Sequence, residues 1–467
     1  MSTIATMVSR VLLPFLPESI VSFFTTGHQR SIRAKLNILA SFFIRGGSIL
    51  IGFLMVPLAL EYLNPTRYGI WLTLSSIVGW FALFDIGLGN GFRNKFAEAL
   101  AENRKDLAKV YLSTTYVILM LLSGVVFILF LILDRFVDWT KILNCSPELS
   151  GELQIVIFSV VVFFCFSFVL QLINTVLIAD QRPAKANLLK MLGNLLGLVI
   201  VVSLIRTTPA GSLLYLGIGI SVSPVLVLIA GTIFYFSRDY REFLPSFKLV
   251  KFKYAKDLTS VGLQFFIIQI GALILFATDN LIITQLFDPE AVTKYNIVFK
   301  YFRNVMIIFA IISQPLWSAY TEAYVKKEFD WIKRIIRKSI KIWAALGVLV
   351  IFMLLVSKDF YRMWVGDAIQ IPFSLSVTMA LYTLLVTFVT IFLSFINGIG
   401  KLRIQLFTSV FTILANIPVS IFLARNMHLG PSGVLLGTCV IFLLSFVLYP
   451  LQYHRIINGS AKGIWNK

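Results

Sequence analysis

Apolar positions in this chain fall into long unbroken runs, not into the period-two or period-3.6 stripes of half-buried strands and helices. A helix crossing the hydrocarbon core of a bilayer needs about 20 such residues. About twelve runs of roughly that length occupy 36–62, 69–92, 110–133, 153–179, 188–205, 213–236, 258–286, 295–320, 339–357, 372–396, 404–424 and 432–453. Most end at Pro, Gly, Asn or a charged residue, which stop or cap helices. The pattern predicts an all-α polytopic membrane protein of about twelve transmembrane helices.

Composition agrees. Of 467 residues, 58% are hydrophobic and 13% charged, so lipid is the expected solvent. The net charge of +19 would suit a nucleic-acid binder, but Lys and Arg sit in alternate inter-run segments. Roughly 30 lie on the side of the N-terminus and roughly 8 on the other, the positive-inside distribution. Arg93–Lys109, Arg238–Lys256 and Lys326–Lys341 are basic, whereas Asp134–Glu152 on the opposite side is short and partly acidic. The expected topology is multi-pass with both termini cytoplasmic, and no nucleic-acid partner is expected.

Residues 1–35 form a cytoplasmic or interfacial segment. Pro14, Pro17 and Glu18 interrupt its apolar stretch, so it does not resemble a cleaved signal peptide. Val11–Phe24 is either a surface-lying amphipathic element or a floppy leader. Cys145, Cys165 and Cys439 offer no disulfide framework.

The chain also repeats. A constant offset carries Phe42–Pro65 onto Phe266–Pro289 without a gap, pairing Gly47 with Gly271 and Asn64-Pro65 with Asp288-Pro289. The same offset pairs Phe96-Ala97-Glu98-Ala99 with Tyr320-Thr321-Glu322-Ala323, Asp106 with Asp330, and Lys109 with Lys333. Matches in polar segments are harder to obtain by chance than matches between apolar runs. The predicted organisation is an N-lobe over 36–240, a C-lobe over 241–453 and a cytoplasmic tail over 454–467. Six helices separate the repeats, so they share an orientation. That predicts a pseudo-two-fold axis along the membrane normal and a central cavity between lobes.

No enzyme motif is present. His28, His428 and His454 lack metal-ligand spacing, and no metal or cofactor is expected. Gly87, Gly89 and Gly91 close an apolar run, which fits a loosened helix end better than a phosphate loop. The informative residues are charges inside apolar runs. Arg45 lies within the first and Arg303 within the eighth. An ionised group at the bilayer centre costs about 2.5–3.5 kcal/mol on insertion scales, so it faces protein or water. Arg303 shares a helix face with Asn296, Lys300 and Asn304 by their spacing of three or four. Asp279 lies at a similar depth to Arg303, and Asp85 at a similar depth to Arg45. Each carboxylate is therefore either an ion-pair partner or a coupling site. A cationic lumen of Arg45, Arg303 and Lys300 suits a diphosphate, whose oxygens match the guanidinium fork. Asn174, Asn194, Gln269, Asn296 and Asn304 are candidate sugar contacts, with Gln171, Asn187, Gln264, Gln314 and Asn416 further amides of the same type. Each has an alternative role as helix–helix glue.

Two stretches carry a resemblance. Tyr62-Leu-Asn-Pro-Thr-Arg-Tyr-Gly-Ile-Trp71 and Phe84-Asp-Ile-Gly-Leu-Gly-Asn-Gly-Phe-Arg-Asn-Lys-Phe-Ala-Glu-Ala-Leu100 resemble the Wzx-type O-antigen flippases of the multidrug/oligosaccharidyl-lipid/polysaccharide exporter superfamily. The resemblance implies an undecaprenyl-diphosphate-linked oligosaccharide as cargo, moved across the bacterial inner membrane by alternating access and coupled to H+, Na+ or membrane potential. It implies membrane lipids, a repeat-unit polymerase and a chain-length regulator as partners. The related lipid II flippases have two further helices and several arginines in the first helix pair, where this chain has Arg45 alone. Alternatives are a cation-coupled drug exporter of the same superfamily, a membrane repeat-unit polymerase or ligase, and a non-transporting scaffold.

Overall fold

The computed structural model describes residues 29–85, 87–255, 263–313 and 316–466. His28, Gln314, the Val11–Phe24 segment and the side chain of Gln264 lie outside the described residues. Among the described residues eleven helices are long and apolar enough to cross a membrane. A bent pair, Ile267–Leu275 followed by Asp279–Leu286 at 43°, brings the number to twelve if it is counted as one span. Side chains such as Leu121, Ile233, Val348 and Leu414 stand exposed on these helices. That surface would be unfavourable in water and is ordinary against lipid.

The helices are α1 (Gln29–Leu63), α2 (Pro65–Trp80), α3 (Leu88–Ala101), α4 (Lys105–Asp134), α5 (Ser150–Leu170), α6 (Leu172–Ala179), α7 (Pro183–Thr207) and α8 (Leu213–Ser237). Then follow α9 (Leu263–Ala277), α10 (Asp279–Leu286), α11 (Pro289–Ser313), α12 (Leu316–Val325), α13 (Phe329–Leu355), α14 (Ser357–Val365), α15 (Phe373–Ile399), α16 (Arg403–Ile421) and α17 (Gly430–Ile457).

Four of the expected continuous runs are broken. The run 69–92 becomes α2, a 3-10 turn over Phe81–Asp85, and α3. The break centres on Gly87 at φ 77°, a left-handed conformation that glycine adopts without steric cost. The run 258–286 divides at Thr278, whose hydroxyl donates to the Ile274 carbonyl at 2.6 Å. Such back-bonding competes with the helical ladder and bends helices. The run 153–179 divides at Gln171, and 295–320 divides between α11 and α12.

The sequence repeat reappears in helix starts. Asn64 accepts from the Arg67 amide at 3.0 Å, and its counterpart Asp288 accepts from the Ala291 amide at 2.6 Å. Both are N-cap bonds, and Pro65 and Pro289 each open the helix that follows. The same offset relates the starts of α4 and α13, Lys105 and Phe329.

The chain divides into two compact units. The first holds Met1–Tyr62, Phe84–Asp138 and Gly151–Val261; the second holds Leu63–Leu83, Trp139–Ser150 and Gly262–Lys467. Thus α2 packs with the C-terminal helices, against α10 and α11, although it lies within the 36–240 stretch. In the first unit α7 runs along α8, and α3 packs on α4 and α6. An aromatic core of Phe92, Phe96, Tyr116, Phe168 and Phe236 joins them. The segment after α8 is held on α4 by side-chain caps. The Ser246 amide donates to Ser113 Oγ and the Lys251 amide to Thr114 Oγ1, both at 3.1 Å.

In the second unit α15 is the most enclosed span, packed by α11, α12, α13 and α17. Helix α17 approaches α16 through Gly437, and the π-helical turn Phe422–Asn426 that follows α16 through Gly433. A Cβ at either would lie 2.6 Å from the Cα of Ala424 or Ser420. This small-xxx-small contact lets backbones meet where lipid provides no hydrophobic drive between helices.

Candidate functional site

A polar seam runs through the second unit among α2, α10, α11, α16 and α17. It begins at the bend before α10, which places Asp279 at the first position of that helix. Asp279 is 4% exposed. Tyr295 of α11 donates its hydroxyl to Asp279 Oδ2 at 2.7 Å, while Oδ1 has no hydrogen-bond partner. Thr438 of α17 stands beside the carboxylate, and Asn416 Nδ2 of α16 donates to Thr438 Oγ1 at 3.1 Å. Asn416 Oδ1 is likewise buried without a partner. A buried carboxylate surrounded by hydroxyls and amides can accept a proton or a small cation.

The seam continues along the α2 face. Asn296 Nδ2 donates to Asn280 Oδ1 at 2.8 Å, and Asn280 Nδ2 donates to Ser76 Oγ at 2.7 Å. The hydroxyls of Thr73 and Thr284 are 2.6 Å apart. Farther along α11, Lys300 Nζ donates to the Tyr68 hydroxyl at 3.0 Å and lies 5.7 Å from its ring centroid. Arg303 is exposed, with its guanidinium 5.8 Å from the Phe299 ring centroid. Asn304 turns its amide back onto the Lys300 and Tyr301 carbonyls, at 2.8 and 3.2 Å.

Of the two roles open to each carboxylate, ion pairing is not seen for either. Arg303 does not reach Asp279, because Tyr295 takes that carboxylate while Arg303 projects from another part of the α11 surface. Arg45 does not pair with Asp85, whose carboxylate accepts from the Gly89 amide at 3.1 and 3.2 Å and so caps the start of α3. Among the described residues Arg45, Lys300 and Arg303 have no carboxylate partner.

The structure therefore brings Asp279, Asn296, Lys300, Arg303 and Asn304 together on α10 and α11. Arg45, Asn174 and Asn194 lie elsewhere, in the first unit. Arg45 is half-buried on α1 and Asn194 is exposed on α7. Asn174 is half-buried on α6, with Oδ1 unpartnered. Gln269 is half-buried on α9 in the second unit. Tyr68, Ser76, Asn280, Tyr295 and Thr438 complete the seam and were not anticipated. Asn280 carried a signal, since it adjoins Asp279 within an apolar run.

The polysaccharide biosynthesis protein family matches over residues 35–320. The chain is 26% identical over 406 residues to a putative O-antigen transporter of Salmonella typhi, covering 85% of this chain and 90% of that protein. It is 26% identical over 433 residues to a putative O-antigen export protein of Yersinia pseudotuberculosis, covering 89% and 94%. Its fold is that of a multidrug resistance MATE family transporter of the MOP superfamily in an inward-facing conformation. The TM-score is 0.71 at 17% identity, covering 91% of this chain and 100% of that one. The match spans more than half of the sequence and takes in α1 from residue 35 on, α2, the break at Gly87, and the α10–α11 part of the seam: this chain belongs to the polysaccharide biosynthesis protein family.

Proposed function

We propose that this protein is a flippase that carries undecaprenyl-diphosphate-linked oligosaccharide repeat units from the inner to the outer leaflet of the bacterial inner membrane by alternating access. The observation that carries the proposal is the pair Lys300 and Arg303 on a membrane-spanning helix, neither with a carboxylate partner among the described residues. Uncompensated charge in a membrane helix is costly and is retained where it meets a pathway or a ligand. A diphosphate supplies the missing counter-charge. The names of the relatives from Salmonella and Yersinia support a polysaccharide cargo.

Arg45 takes part in attracting the diphosphate as the cargo passes. Asn296 and Asn304 contribute a polar surface next to the cations, although their amides already bond within the seam. Asp279, with an open Oδ1, is the coupling site for H+ or Na+, whereas the Gly89 bonds of Asp85 favour a structural role. A multidrug-exporting activity is disfavoured by the same two cations, which repel organic cations.

The test is the fate of lipid-linked repeat units in cells depleted of the protein. Intact repeats accumulating in the inner leaflet, with no surface glycan, are expected. Single repeats still reaching the surface would refute flipping. In complemented cells, Arg45→Ala and Arg303→Ala variants that insert normally yet transport fully would remove the diphosphate role.

A further inference from the structure

A groove of about 710 Å³ lies in the first unit, between α4, α8 and the segment that follows α8. Its lining is graded. Ser113 is in the third turn of α4, with Tyr116 one turn and Met120 two turns farther into the membrane span. Ser237 ends α8, with Ile233 and Thr232 about one turn deeper. Arg241, Leu244 and Phe247 of the following segment close one side. The groove is thus polar and cationic at the basic face of the protein and apolar toward the bilayer interior.

Two features of the groove point to a ligand. Tyr116 is 7% exposed and its hydroxyl has no hydrogen-bond partner, and the buried hydroxyl of Thr232 has none either. Buried polar atoms are normally satisfied, so two orphans in one groove call for acceptors from outside the protein. The serines do not share this need, because Ser113 donates to Lys109 O and Ser237 to Phe234 O. The second feature is charge. The segment's carboxylates are already taken: Asp239 by Arg182 and Lys185, and Glu242 by Lys105. Arg241, exposed at the groove, has no ion-pair partner among the described residues. Next to it the segment carries Lys248, Lys251 and Lys253. Phe247 and Phe252 are 79% and 56% exposed.

We propose that this groove holds one anionic glycerophospholipid. Its phosphate sits on Arg241, its ester carbonyls accept from Tyr116 and Thr232, and one acyl chain lies along Met120, Ile233 and Phe236. A soluble anion would satisfy the arginine and leave the apolar wall bare, whereas a neutral lipid would fill the wall and leave the arginine uncompensated. Charge-assisted bonding to phosphate and the basic juxtamembrane segment both favour the anionic lipid. The lipid would fasten the segment after α8 onto α4, alongside the Ser113 and Thr114 caps. None of this depends on the identity of the transported cargo.

The test uses the full-length protein in detergent with phosphatidylglycerol bearing a diazirine in one acyl chain. After irradiation, label is expected on peptides spanning 113–120 and 232–247. Unlabelled phosphatidylglycerol should displace it at about tenfold lower concentration than phosphatidylcholine. Arg241→Gln, an exposed substitution, should cut labelling about fivefold. Met120→Trp, which fills the groove, should abolish it in protein that keeps its melting temperature. If that variant fails to fold, Arg241→Gln and the competition experiment decide alone. Label spread evenly over the lipid-facing helices, or equal displacement by phosphatidylcholine, would overturn the proposal. So would stronger displacement by undecaprenyl diphosphate, which would make the groove part of the cargo path.

Discussion

Gly69 and Pro289 meet backbone to backbone: a Cβ on Gly69 would fall on the Pro289 carbonyl. The reciprocal contact is the Thr293 hydroxyl donating to the Pro65 carbonyl at 2.7 Å. Under the offset of the sequence repeat, Pro65 corresponds to Pro289 and Gly69 to Thr293. The α2–α11 crossing therefore has the form of an isologous contact, in which i meets j and j meets i. It is asymmetric in chemistry, since one side is a bare approach and the other a hydrogen bond. Gly69→Val should force the helices apart and cost about 1–3 kcal/mol, as overpacking does. Thr293→Val should cost about 0.5–1.5 kcal/mol for one hydrogen bond. Thermal unfolding of the solubilised protein compares them, and a Gly69→Val protein that melts like the parent would contradict the contact.

Tyr68 gives Lys300 both a hydroxyl and a ring face. Tyr68→Phe removes the hydrogen bond and keeps the ring, so a part of the positioning of the ammonium should survive. Transport is expected to fall about tenfold, a loss of about 1.5 kcal/mol that matches a hydrogen bond to a charged group. Tyr68→Ala should fall further. Equal transport by both variants and the parent would show that Lys300 needs neither contact.

Asp279→Asn keeps the shape of the carboxylate and can still accept from Tyr295, so the fold should persist while the charge is lost. Transport driven by an imposed H+ or Na+ gradient should lose its dependence on that gradient. Tyr295→Phe, which leaves a second carboxylate oxygen without a donor, should instead lower stability by about 1–3 kcal/mol. A vesicle assay with each gradient applied separately distinguishes the ions. An Asp279→Asn protein with undiminished response to both would end the coupling assignment.

The pairing of Asn64-Pro65 with Asp288-Pro289 was legible as a repeat, but the apolar runs beginning at 69 and 295 miss the first turn of each helix, where a polar cap and a proline of fixed φ open it. The breaks were not legible. Thr278 and Gln171 are single polar residues inside apolar runs, and hydropathy over some 20 residues hardly registers them. The pairing expected between Arg303 and Asp279 came from depth alone. Tyr295 and Arg303 are eight residues apart, which turns them roughly 80° around the helix. Packing then decides which one meets Asp279, and α10 puts the carboxylate against the tyrosine. The partnership of α2 with the C-terminal helices was equally hidden. It rests on Gly69, Thr73 and Ser76, small residues whose partners are more than 200 positions away in sequence.

Outside the membrane spans, Asp239 ties α7 to the end of α8. The hydrogen bond from Lys185, with the charges of Lys185 and Arg182, holds its carboxyl below the usual carboxylate range. A depressed folded pKa means stability that is fully present above the unfolded value of about 3.9 and lost as pH falls through the folded value. Asp239→Asn should therefore destabilise the protein at pH 7 by at most about 1 kcal/mol, since the site is only partly shielded. The difference from the parent should shrink below about pH 4. Melting curves at pH 7 and pH 3.5 test this, and a difference that grew in acid would reverse the assignment.

The loop between α4 and α5 is fastened to α10 by a pair of amides. Asn144 Nδ2 donates to the Thr284 and Phe287 carbonyls, both at 2.9 Å, and Gln285 Nε2 donates to the Lys141 and Ile142 carbonyls at 2.8 and 2.6 Å. Asn144 also adopts φ 46°, a left-handed conformation that Asn and Gly tolerate better than other residues. Two effects are thus combined in one side chain, and two substitutions separate them. Asn144→Gly keeps the backbone conformation and removes the amide, whereas Asn144→Ala loses both. Backbone strain adds about 1–2 kcal/mol to the alanine variant. Hydrogen exchange across 139–150 should rise in both variants and more in Asn144→Ala. If Asn144→Gly exchanged like the parent, the Asn144 amide would contribute nothing, and the turn geometry and the Gln285 bonds would hold the loop.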